Sequence, residues 1–81
     1  MGKIVAWDSL KPGDVVWEEW LYGAGTIKAK ILRYGTKAGD LVIRYGENLY
    51  GCTMRQRAEY RYWDSEPTME KMKVTGWEGQ A

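Results

Sequence analysis

The 81-residue chain has no histidine and no phenylalanine, a single cysteine and two prolines. Without histidine it lacks the commonest general base near neutral pH and the commonest metal ligand. One cysteine, Cys52, excludes an intramolecular disulfide and, with no histidine, a zinc finger or ribbon. That usage fits a reducing cytoplasm better than secretion. No apolar run approaches the roughly 20 residues of a membrane span, and the opening MGKIVAWDSL is too polar to read as a signal peptide. No phosphate loop, dinucleotide fingerprint or calcium loop occurs. Ser9 and Ser65 lack the setting of a nucleophile. Glu18 and Glu19 are adjacent, so on a strand they point to opposite faces and cannot pair as acid and base. The expectation is a non-enzyme with no metal and no cofactor.

What the chain does contain is strand pattern. In Gly25–Gly46, Ile27, Ala29 and Ile31 alternate with Thr26, Lys28 and Lys30. Leu41, Ile43 and Tyr45 then alternate with Val42 and Arg44. Period-two alternation sets one face on a core and the other in water. The connection Gly35–Asp40 offers two glycines where a hairpin needs positive φ. Before this hairpin, Lys3–Trp7 reads as an edge strand or packed arm, Asp8-Ser9 caps one helical turn, and Lys11-Pro12-Gly13-Asp14 is a turn. Asp14–Glu18 is a strand and Glu19–Gly25 an aromatic loop. After the hairpin, Asn48–Gly51 reads as a turn and Cys52–Trp63 as one long strand. Ser65 then caps a short helix in which Met69 and Met72 plug the barrel end. Lys73–Trp77 is the last strand.

Five Trp and six Tyr give every aromatic ring a polar handle, which suits half-buried positions and interfaces. Net charge is +1, but residues 1–20 and 64–81 are each −2, whereas 21–50 and 51–63 are +3 and +2. If the ends meet, the molecule has an acidic side and a basic side. Two candidate surfaces follow. One is the acidic aromatic stretch Trp17, Glu18, Glu19, Trp20 and Tyr22, suited to a basic protein partner. The other is the alternation Arg55, Arg57, Tyr60, Arg61, Trp63, flanked by Lys28, Lys30, Arg33 and Arg44. Arg, Tyr and Trp dominate protein–protein hot spots. The alternative is nucleic acid, with Lys28, Lys30, Arg44, Arg55, Arg57 and Arg61 on phosphates and the rings stacked on bases. The plainest reading is a solvated face whose arginines pair with Glu47, Glu59 or Asp64. Near-zero net charge weighs against a dedicated nucleic-acid binder.

The run Leu10–Trp17, a glycine-containing loop and Ile27–Leu32 resemble the opening of SH3-like small barrels, the class of SH3, Tudor and KOW domains. Val42–Asn48 is similar to a Tudor-type strand, although the Tudor aromatic cage has no matching positions. Gly13–Trp17 also resembles the start of PemK-like endoribonuclease toxins, but the Arg-Pro pair of those toxins is replaced by Ile27-Lys28-Ala29. The ending Tyr62–Thr68 resembles short accessory proteins of bacteriophages and prophages. That resemblance implies a cytoplasmic protein of a bacterial host cell that binds a host or phage protein, an inhibitor of a host defence system among them. The expected architecture is mainly β: a single domain over residues 1–81, built as a five-stranded SH3-like barrel or strongly bent antiparallel sheet, with one short helical turn near residues 65–72. It would act as a monomer or small homo-oligomer without membrane contact.

Overall fold

A computed structural model describes residues 2–52 and 59–77. The fold is mainly β. Strands β1 (Ile4–Val5), β2 (Val15–Trp20), β3 (Thr26–Tyr34), β4 (Leu41–Tyr45), β5 (Asn48–Cys52) and β6 (Tyr60–Trp63) are followed by helix α1 (Met69–Thr75). They form one six-stranded sheet in the order β1-β6-β2-β3-β4-β5, and every pairing is antiparallel.

The central hairpin forms as its alternation predicts. Ala29, Ile31, Leu41 and Ile43 are buried on one face, joined there by Val16 and Tyr62. Trp7 and Leu10, from the segment around the 3-10 turn Trp7–Ser9, cover that face. The Trp7 ring meets Tyr62 at a centroid distance of 5.5 Å. Its indole N–H donates to Gly39 O at 2.6 Å. That bond ties the chain after β1, at one sheet edge, to the β3–β4 connection. Strict alternation would turn Arg33 into the core. A register shift between Ile31 and Arg33 prevents this by setting Arg33 opposite Val42 and Tyr34 opposite Leu41.

Of the two hairpin glycines, only Gly39 has positive φ, at 87°. Gly35 is required for close approach. Its N–H donates to Asp40 O at 2.7 Å, and a Cβ there would lie 2.5 Å from Asp40 Cβ. Gly35→Ala should therefore cost about 1–3 kcal/mol, lowering the melting temperature by at least about 4 °C. An unchanged thermal melt would refute this account of the turn.

Several boundaries differ from the sequence reading. β2 continues through Glu19 and Trp20, because Glu19 pairs with Thr26 and Trp20 with Tyr60. Asn48–Cys52 is a strand paired with β4. The reversal before it is Gly46-Glu47, where Gly46 supplies φ 62°. Of the long strand expected over Cys52–Trp63, Cys52 belongs to β5 and Tyr60–Trp63 form β6 elsewhere in the sheet, while residues 53–58 lie outside the described residues. Lys73–Trp77 is not a strand, since Lys73–Thr75 complete α1. The place beside β2 is already taken by β6. The helix cap is Thr68, whose Oγ1 accepts from Lys71 N–H at 3.0 Å, rather than Ser65. Met72 is buried but Met69 is 52% exposed, so only one of the two methionines expected as plugs is buried. With six strands among the described residues, the five-strand expectation is corrected. β1 and β5 are the two edges of the described sheet. The two acidic segments do meet at Lys3 and Asp64, which exchange hydrogen bonds of 2.9 Å to Lys3 O and 2.7 Å to Asp64 Oδ1.

Candidate functional site

The two glutamates of β2 separate the two faces of the sheet, and each is engaged. On the core face, the Glu18 carboxylate accepts from the Tyr62 hydroxyl at 2.8 Å and from the Tyr45 hydroxyl. On the opposite face, Glu19 lies directly across from Arg61 in the β2–β6 ladder. Arg61 Nε donates to Glu19 Oε1 at 2.6 Å, and Nη2 to Oε2 at 3.3 Å. Trp63 Nε1 also donates to Glu19 Oε1, at 2.9 Å.

The remaining guanidinium donors hold the helix. Arg61 Nη2 donates to Met72 O at 2.9 Å, and Nη1 donates to Gly76 O. These carbonyls belong to the last turn and cap of α1, where the helix leaves acceptors unsatisfied and favours a cation. The guanidinium lies 5.1 Å from the Trp63 ring centroid and 4.4 Å from that of Trp77. Glu19 and Arg61 are 7% and 8% exposed. Such burial is tolerated because no buried side-chain N or O among the described residues lacks a hydrogen-bond partner.

This geometry corrects three candidate residues. Arg61, Glu19 and Trp63 are interior and hold α1 on the sheet, so they are not a free binding face. Arg61 pairs with Glu19, not with Glu47, Glu59 or Asp64. Arg55 and Arg57 lie outside the described residues.

The other candidates divide between the faces. Trp20, on the core face, is opposite Tyr60 in the ladder, and the two rings stack at 6.5 Å. Tyr22 meets Trp20 edge-on at 5.4 Å. Trp20 is 43% and Tyr22 69% exposed. Ile27 is on the same face, opposite Glu18, and is 51% exposed. Alternation alone assigns Ile27 to the core. Its place near the open end of β3 leaves it in water beside the aromatic cluster.

Trp17 departs from that cluster. It points to the outer face with Val15 and Glu19, and it lies opposite Lys28. Lys28 Nζ sits 5.8 Å from its ring centroid. Lys30 is opposite Arg44, two positions along the same face. Lys28, Lys30 and Arg44 are exposed, and none is paired with a carboxylate among the described residues. Together with Val15 and Gly46 they line an open groove of about 440 Å3.

No group of three or more His, Cys, Asp or Glu among the described residues could hold a metal ion. Among the same residues, no helix is long and apolar enough to cross a membrane. No family model, no curated protein and no solved structure matches the chain.

Proposed function

We propose that the chain is a non-catalytic binding module that engages a protein partner through the cluster Trp20, Tyr22, Ile27 and Tyr60. The observation that carries this is the exposed Trp20–Tyr22 pair, stacked on Tyr60 at the end of a paired strand. Aromatic rings held by a rigid scaffold lose little conformational freedom on binding and often become anchors. The side-chain chemistry supports binding over catalysis. The chain has no histidine, and the adjacent carboxylates are committed to Tyr45 and Tyr62 on one face and to Arg61 and Trp63 on the other.

Kinship with the SH3-like small barrels is part of the same proposal. It is supported by β6, the last strand, lying beside β2, the first long one. The phage-like ending supports a partner drawn from host or phage proteins of a bacterial cytoplasm. A component of a host defence system is included, and the module would act on it by occupying its surface. Affinity capture from a bacterial lysate tests the reading. The wild-type chain should enrich one protein species, and Tyr22→Ala should lose it. Capture that is unchanged by Tyr22→Ala would contradict the proposed surface.

A further inference from the structure

The outer face of β2–β4 brings together three cations that the fold itself does not need. Lys30 and Arg44 stand directly opposite each other in the ladder, an arrangement of like charges that weakens a sheet. Lys28 is two residues from Lys30, roughly 6.6 Å along the strand. The carboxylate sharing this face, Glu19, is spent on Arg61, and Glu18 points the other way. The three cations therefore stand together with no ion pair to a carboxylate among the described residues, although the chain is nearly neutral. Beside Lys28 lies the partly buried Trp17 indole, and Val15 and Leu49, 40% and 56% exposed, add apolar surface to the same face. The groove that Val15, Lys28, Lys30, Arg44 and Gly46 line, about 440 Å3, falls within the roughly 300–1,000 Å3 of ligand sites.

We propose that this face binds single-stranded nucleic acid, with Lys28, Lys30 and Arg44 on successive phosphates and a base against Trp17. Charge complementarity selects a polyanion. The aromatic ring beside Lys28 selects one with accessible bases, since a duplex hides its base faces in the stack. The lysine spacing along β3 is comparable to the phosphate spacing of an extended strand. This site is separate from the protein-binding cluster, which lies on the core face, so either can fail without the other.

The test is fluorescence anisotropy with a labelled oligothymidylate of about 12 nucleotides, a length within the usual footprint of small binding folds. Three phosphate contacts predict a slope of log affinity against log salt of about −2 or steeper, or roughly a 20-fold loss between about 50 and 200 mM salt. Lys28→Gln, Lys30→Gln and Arg44→Gln combined should abolish binding with an unchanged far-ultraviolet dichroism spectrum. Trp20→Ala should bind as wild type, and a duplex of equal length should bind more weakly. The proposal is overturned if the oligonucleotide is not bound at low salt, or if the triple variant binds as wild type. It is equally overturned if a polyglutamate peptide binds and the oligonucleotide does not, which would give the face to an acidic protein.

Discussion

Arg61→Ala is expected to cost about 3–5 kcal/mol of folding stability, the usual penalty for removing one partner of a buried ion pair. A chain of 81 residues has only roughly 4–12 kcal/mol in total, so the variant should lose at least about a quarter of its stability. The loss has three parts. Glu19 is left buried, with Trp63 N–H as its remaining donor in the pair's network. Met72 O and Gly76 O lose the cation that holds the end of α1. The Trp63 and Trp77 rings lose the guanidinium between them. Arg61→Lys should recover only part of the loss, because an ammonium has neither the planar fork nor the stacking surface. Replacing the pair together, Glu19→Leu with Arg61→Met, should be milder than Arg61→Ala, since no charge is then stranded. Urea denaturation of the four proteins checks the order. If Arg61→Ala shifts stability by less than about 0.5 kcal/mol, as a solvated surface arginine would, the buried-pair account fails.

Trp20→Ala is expected to weaken the captured protein partner by at least about 30-fold, corresponding to a hot-spot loss of about 2 kcal/mol or more. The ring is large, held between Tyr22 and Tyr60, and still 43% exposed. It is therefore preorganised, and a partner can still remove water from it. The same exposure limits the cost to folding. The aromatic contacts given up are worth about 0.5–1.5 kcal/mol each at most, and the described core, from Trp7 to Tyr62, does not include Trp20. The variant should thus stay folded while losing its partner. This combination separates a binding role from a structural one.

The hairpin Gly25–Gly46 is legible in the sequence because Ala29, Ile31, Leu41 and Ile43 alternate with charged or solvent-facing residues, and the structure buries those four. The pattern states which residues share a face. It does not state which face a later element will cover. That is why Arg61 reads as an outward charge: it shares the outer face with Lys28 and Lys30, but α1 closes over its end of the sheet. A signal is present in retrospect, since Arg61 is flanked by Tyr60, Tyr62 and Trp63, an aromatic setting that favours an interior cation with a partner. The segment after β6 is hard to read for a different reason. A seven-residue helix is too short for periodicity to separate it from a strand, and its existence depends on Thr68 capping one end and Arg61 the other. Trp17 and Trp20 sit close together in sequence, yet odd and even positions of β2 place them on opposite faces. Reading them as one acidic aromatic stretch merged two surfaces with different chemistry.

Titration of the purified partner against two single variants tests the central claim most directly, that recognition resides in the aromatic cluster on the core face. Trp20→Ala should raise Kd by at least about 30-fold. Lys30→Gln, on the opposite face, should leave it within about twofold of wild type. Equal binding by Trp20→Ala and wild type, with the loss appearing in Lys30→Gln instead, would contradict the account.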